Sequence, residues 1–204
     1  MERLIELAKK IKDEKLREKV ISLLKEPGVS NKDFKKYKPE SFENVKTLFS
    51  VGGVISERGD LITHTKSVTE ICIEIAENLE ENYKIPIEKD VLIAGALLHD
   101  IMKCFEWKTT ERGAERTEIL LDHSILGAAE LYARGFPEKV IHLVASHIGE
   151  TGPTPPRTIE AIILHTVDSF VSLIEFYVYG PKQTLDLPFV IVDESAIKKL
   201  SGDS

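Results

Sequence analysis

From Glu2 to Lys25, the residues Leu4, Ile5, Leu7, Ala8, Ile11, Leu16, Val20, Leu23 and Leu24 recur every three or four positions, and Pro27-Gly28 closes the run. The spacing predicts a helix with a bend near Asp13. A short second helix is predicted over Ser41 to Phe49, followed by a break at Gly52-Gly53 and a polar loop from Ser56 to Asp60. Between Leu61 and Asn82, His64, Val68, Ile71, Cys72, Ile75 and Leu79 fall within about 100° of arc at roughly 3.6 residues per turn, so His64 faces the core. Ile87 to Asp100 is apolar nearly all round and reads as a buried helix. Phe105 to Leu121 has no helical period. Its Gly113 turn and the alternation Thr117, Ile119, Leu121 predict a hairpin or an irregular lid. Asp122 caps a helix that stops at Gly135, Pro137 opens another through Ile148, and the longest apolar helix runs from Thr158 to about Tyr179. Strand character is confined to Leu185 to Val192, which Pro188 interrupts. The architecture expected is all-α, a bundle of five to seven helices with room for one small hairpin lid. One domain is expected over 1–204, with a helical N-terminal segment at 1–50, a core at 51–179 and a tail at 180–204.

Composition narrows the class without naming a function. Hydrophobic residues make up 42% of the chain and charged ones 30%, as in a soluble globular protein. No tract reaches the ~18 uncharged apolar residues of a membrane span, and the first ten residues lack the apolar core of a secretory signal. The expected location is therefore the cytoplasm, with no membrane partner. A net charge of −7 argues against stable duplex nucleic-acid binding, and the Lys32, Lys35, Lys36, Lys38 group reads as a solvated loop. Cys72 and Cys104 have no partner motif and read as core thiols.

The histidines change the picture. There are six, and His64, His99, His123, His147 and His165 lie on or beside apolar helix faces. One such histidine is ordinarily a hydrogen-bonded core residue; five together point to something shared. His99 and Asp100 end a buried helix, where an uncompensated carboxylate is costly and a cation resolves the conflict. Asp168 sits in another apolar stretch and needs a partner for the same reason. By helical phase His147 points inward with Val140, about 20° away, and His142 points outward. His165 shares the face of Asp168, which leaves ligand, supporting residue and plain core open. Imidazole with carboxylate suits Fe, Mn, Co, Ni or Zn rather than a soft thiolate site.

The ordered set His64, His99-Asp100, His123, His147 and Asp168, built around Leu97-Leu98-His99-Asp100-Ile101-Met102-Lys103, resembles the HD superfamily of metal-dependent phosphohydrolases over about Val51 to Tyr179. The resemblance implies an all-α core in which His64, His99, Asp100 and Asp168 hold one metal. His123 and His147 match the subset with a second, Asp100 bridging both. Two divalent transition-metal ions (Fe, Mn, Co or Ni) are therefore expected. Thr158 to Asp168 is similar to the HD domain of bacterial 3′-to-5′ exoribonucleases, but Ile148 stands where those have a second histidine, and no strands are present for their oligonucleotide-binding barrel. A compact chain of this kind is also similar to archaeal cyclic phosphodiesterases that open 2′,3′-cyclic phosphates of pterin precursors. Lys103 matches HD phosphodiesterases, whereas small 5′-nucleotidases have Glu there.

Two cations close together lower the pKa of water and neutralise charge developing at phosphorus, so Asp100 with Lys103 forms the expected catalytic pair. Lys103 offers an ammonium to a phosphate or leaving oxygen, and equally reads as a helix-end lysine favoured by the dipole. Arg58, Arg112 and Arg116 are candidates for gripping a phosphate, although each alone reads as a solvated surface residue. Trp107 either stacks on a ring of the substrate or packs under the lid. The favoured function is a phosphodiesterase acting on a small nucleotide-like or cyclic phosphate. The alternatives are an HD-type di-iron oxygenase and a phosphomonoesterase of the same fold; a non-catalytic module should lack a ligand, and none is missing. The partner is thus a small phosphorylated substrate, and a homo-oligomer is compatible with the sequence.

Overall fold

The computed structural model describes residues 1–51 and 53–180; the strand-like tract from Leu185 to Val192 lies outside them. The first expected helix is two, α1 (Glu2–Ala8) and α2 (Glu14–Lys25). The bend is a complete break because polar side chains satisfy the backbone there. Asp13 accepts a capping hydrogen bond from Leu16 N at 3.0 Å, and the Asp90 carboxylate accepts from Lys12 N and Asp13 N at 2.9 and 2.8 Å. A hairpin follows, β1 (Thr47–Val51) and β2 (Val54–Arg58), then α3 (Leu61–Tyr83), α4 (Lys89–Leu98) and a single turn, α5 (Lys103–Glu106). A second hairpin, β3 (Trp107–Thr110) and β4 (Gly113–Arg116), leads into α6 (His123–Ala133), α7 (Glu138–Ser146) and α8 (Ile159–Tyr179). Seven helices longer than one turn thus make the described residues an all-α bundle, as expected.

The first hairpin corrects the expected helix at 41–49 and polar loop at 56–60. Thr47, Phe49 and Val51 are strand formers, and two residues separate Val51 from its partner Val54, the spacing of a tight hairpin. The alternation then turns Ser56 and Arg58 inward, where both are buried. The second hairpin is the expected lid, turning at Gly113 with φ 107°, a value that favours glycine. Thr117, Ile119 and Leu121 lie beyond its strands. Ala114 N donates to Glu57 Oε2 at 2.7 Å and Lys46 N to Thr109 Oγ1 at 3.0 Å, so the hairpins form one wall.

Helix α4 is the axis of the bundle. Val91 to Leu98 are all buried, and the helix packs on α2, α3, α7 and α8. Gly95 permits the α7 contact, since a Cβ there would sit 2.8 Å from Leu143 Cβ. Gly95→Ala is expected to cost about 1–3 kcal/mol of stability through overpacking, read by chemical denaturation. An unchanged midpoint with an unchanged slope would contradict this close approach.

On α3 the buried face includes Thr65, Thr69, Ile73 and Ala76, and it is turned by about 60° from the stripe of larger apolar residues. The Thr69 hydroxyl is satisfied there by donating to Thr65 O at 2.7 Å, whereas the Thr65 hydroxyl is buried without a hydrogen-bond partner. His64 remains inside, at the edge of that face. Helix α8 is long and apolar enough to cross a membrane by length and composition, although Glu160, Asp168 and Glu175 interrupt it. Its inner side packs on α3, α4 and α7. Cys72 and Cys104 are buried core thiols, and burial pushes Cys104 up to about 12.

Candidate metal centre

Several helix ends meet at one point. Asp60 caps α3 by accepting from Thr63 N at 3.1 Å, which fixes His64 on its first turn. His99 and Asp100 follow the last turn of α4, His123 opens α6, His147 follows α7, and Asp168 lies in the middle of α8. The C-terminal ends of α4 and α7 bring partial negative charge, which suits a cation.

The two oxygens of Asp100 divide the histidines. Oδ2 lies 3.5 Å from His99 Nε2 and 3.7 Å from His64 Nε2, and Asp168 Oδ1 lies 3.1 Å from His64 Nε2 and 3.8 Å from His99 Nε2. Oδ1 lies 3.4 Å from His123 Nε2 and 3.7 Å from His147 Nε2, and those two nitrogens are 3.2 Å apart. His64, His99 and Asp100 could therefore hold one ion, and Asp100, His123 and His147 another. Both His99 Nε2 and Asp100 Oδ1 are buried without a hydrogen-bond partner. Such orphaned atoms are rare; His99 Nε2 belongs to the first group and Asp100 Oδ1 to the second, and a cation in each would satisfy them.

Electrostatics follow the same division. Burial alone would raise the Asp100 pKa, but Lys103 and the surrounding histidines outweigh it and hold the carboxylate well below its usual range. Burial also pushes Asp168 up, while the hydrogen bond from His64 and the nearby His99 bring it down overall. Burial, reinforced by His99 and His123, depresses His147 to about 3, and burial likewise lowers His99, so both stay neutral and free to coordinate. For His64 burial is outweighed by hydrogen bonds to Asp168 and Glu175, which raise it.

A cavity of about 640 Å³ opens onto the centre, bordered by Arg58, Lys103, Trp107, Arg116, His123 and Asp168 among others. Lys103 Nζ donates to Asp100 Oδ2 at 2.8 Å. Trp107 is buried, borders the cavity and has the Arg116 guanidinium 5.5 Å from its ring centroid. Arg58 departs from the expectation of a solvated side chain. It is buried, its Nη2 donates to Ser172 Oγ at 2.7 Å, its Nε is ion-paired with Glu175 at 2.6 Å without hydrogen-bond alignment, and it packs over Phe49. Arg112 does not reach the cavity: its side chain is 87% exposed and pairs with Glu115 at the hairpin turn. Asp122 precedes α6 but makes no capping bond, because its carboxylate is taken by Arg116 at 2.8 Å. His165 is a supporting residue whose Nδ1 contacts His147 O at 2.8 Å. His142 stays outside the centre, its Nε2 accepting from Arg157 N at 3.0 Å.

Sequence reasoning missed Glu106, Glu175 and Phe49. Glu106 was discoverable in principle, being the one carboxylate in the run Ile101 to Trp107, which is apolar apart from it and Lys103. Glu175 sits two helical turns beyond Asp168 on the same side of α8, a phase relation with no local mark of its own.

An all-α bundle with a shared aspartate and four histidines at the floor of a cavity bordered by Arg58, Lys103 and Arg116 fits a metal-dependent phosphohydrolase. The HD domain family matches residues 61–173, and the chain belongs to that family. It is 45% identical over 170 residues, 82% of this chain and 67% of the relative, to a dihydroneopterin 2′,3′-cyclic phosphate phosphodiesterase of Methanocaldococcus jannaschii. It is 34% identical over 112 residues, 47% of this chain and 34% of the relative, to a 3′-5′ exoribonuclease of Oceanobacillus iheyensis. A tRNA (cytidine(56)-2′-O)-methyltransferase of Thermoplasma volcanium is 31% identical over 122 residues, 53% of this chain and 31% of the relative. No solved structure matches the chain.

Proposed function

We propose that the chain is a phosphodiesterase that opens a 2′,3′-cyclic phosphate on a small ring-bearing molecule, with two divalent transition-metal ions at the centre. The observation that carries this reading is the division of the Asp100 oxygens between two histidine pairs beneath a cavity lined with cations and aromatic rings. His64, His99, Asp100 and Asp168 would hold one ion, and Asp100, His123 and His147 the other. When bound, such ions supply Lewis acidity and lower the pKa of water towards neutrality. The cavity volume falls in the range of small-molecule sites, roughly 300–1,000 Å³. Arg58 and Arg116 present planar guanidinium groups suited to a phosphate, Trp107 and Phe49 offer ring faces, and Lys103 offers an ammonium to the oxygen that leaves. Cytoplasmic location and a small soluble substrate complete the proposal, and the pterin substrate named for the M. jannaschii relative is the first candidate.

The test is metal analysis of the full chain, then a screen of 2′,3′-cyclic nucleotides, dihydroneopterin 2′,3′-cyclic phosphate, linear diesters and monoesters with Mn, Co, Ni and anaerobic Fe(II). Cyclic diesters are expected to be the best substrates. Faster turnover of a monoester would replace this reading with a nucleotidase of the same fold, and oxygen consumption with a polyol would replace it with an oxygenase.

A further inference from the structure

The outward sides of the four histidines at the centre are held in two different ways. His99 and His147 have their Nδ1 atoms on the main-chain carbonyls of Ala96 and Val144, at 2.8 and 2.7 Å, within their own helices. His64 and His123 have theirs on carboxylates. Both oxygens of Glu175 lie 3.2 Å from His64 Nδ1, and Glu106 Oε2 lies 2.7 Å from His123 Nδ1. Each half of the centre therefore contains one histidine oriented by helix geometry and one oriented by a distant acid.

Each acid also carries an arginine. Glu175 is ion-paired with Arg58 and Glu106 with Arg116, and both arginines border the cavity. Glu106 is buried and additionally accepts from the His123 backbone N at 3.2 Å, taking the place that Asp122 leaves at the start of α6. Two parallel chains result, Arg58–Glu175–His64 and Arg116–Glu106–His123, running from the cavity wall to the centre.

We propose that Glu175 and Glu106 are positioning residues, each holding one histidine at Nδ1 so that its Nε2 is turned to the centre, while holding one arginine at the cavity wall. A neutral imidazole that donates from Nδ1 presents its Nε2 lone pair, and a carboxylate acceptor enforces that choice more strongly than a carbonyl. Because each acid serves one histidine, each governs one half of the centre. The inference rests on the reading of His64 and His123 as ligands.

The experiment is Mn(II) titration of the full chain, with free ion read by electron paramagnetic resonance and KM and kcat measured alongside. Wild type is expected to bind two ions. Glu106→Ala should weaken one of them by about 10–100-fold and leave the other tight, and Glu175→Ala should do the same for the opposite site. In a His123→Ala background, Glu106→Ala should add no further loss while Glu175→Ala weakens the remaining ion, a pattern that general loosening of the fold would not produce. KM should rise in both glutamate variants as the arginines are released. Where an alanine variant does not fold, the Gln variant keeps the shape and one acceptor but loses the charge, and a several-fold loss at the same single site is expected. Two tight ions in the glutamate variants, or equal losses from Glu106→Ala with and without His123, would overturn the proposal. Retention of both tight ions by His123→Ala would overturn the ligand reading instead.

Discussion

Asp100→Asn is expected to release both ions and to reduce turnover by at least about 10³-fold, a loss of roughly 4 kcal/mol of transition-state stabilisation. The reason is that one carboxylate faces all four histidines, Oδ2 towards His64 and His99 and Oδ1 towards His123 and His147. An amide keeps the shape but offers one neutral oxygen, which cannot serve two cations. Asp168→Asn makes the informative contrast, since Asp168 faces only His64 and His99, so one ion should be retained. His142→Ala is the control; its ring accepts from Arg157 N outside the centre, and near wild-type turnover is expected. Metal analysis beside steady-state kinetics reads all three. Two tight ions in Asp100→Asn would show that the histidine pairs act without the aspartate and would remove the bridging arrangement.

Lys103→Ala should lower turnover of a 2′,3′-cyclic nucleotide by about 10²-fold, the usual loss when one donor to developing oxygen charge is removed. Both ions should stay bound, because lysine is not a ligand. The Lys103 side chain is 11% exposed, borders the cavity and touches Asp100, which puts its ammonium within the cavity wall beside the centre. A diester carries less negative charge at phosphorus than a monoester, so selectivity for it depends on stabilising the leaving oxygen. Para-nitrophenyl and bis-para-nitrophenyl phosphate share a leaving group that needs no help from a proton, so both should be less affected by the substitution than the cyclic nucleotide, and the monoester should be the slower of the two in the wild type. A silent Lys103→Ala, or a monoester preferred by the wild type, would return Lys103 to its simpler role as the counter-charge of Asp100.

Much of the fold was legible because helices write their burial into a local period. The apolar run from Val91 to Leu98 marks the central helix, Asp13 marks the break between α1 and α2, and Thr158 marks the start of α8 by capping Ala161. The hairpin at 47–58 was misread although its two-residue connection and strand-forming residues were present. Phe42 and Val45, which end up buried before the strand, extended the apparent helical spacing towards Phe49 and masked the change of period.

The chemistry divides along a similar line. The order of His64, His99, Asp100, His147 and Asp168 was legible in the amino-acid sequence alone: the inward phase of His64 and His147 follows from about 3.6 residues per turn, and Asp100 and Asp168 stand out as carboxylates in apolar stretches. What supports and surrounds them came only from the tertiary structure. His64 meets Glu175 across 111 positions, Arg58 meets Ser172 across 114, and Arg116, solvated on the lid as expected with its side chain 59% exposed, nevertheless pairs with Glu106 and Asp122. Arg112, of the same residue type on the same hairpin, is left in solvent. Periodicity tells a side chain which way to face, but it carries no information about which distant group will be there, and a charge such as Arg58 can be buried only where packing brings partners to replace its water.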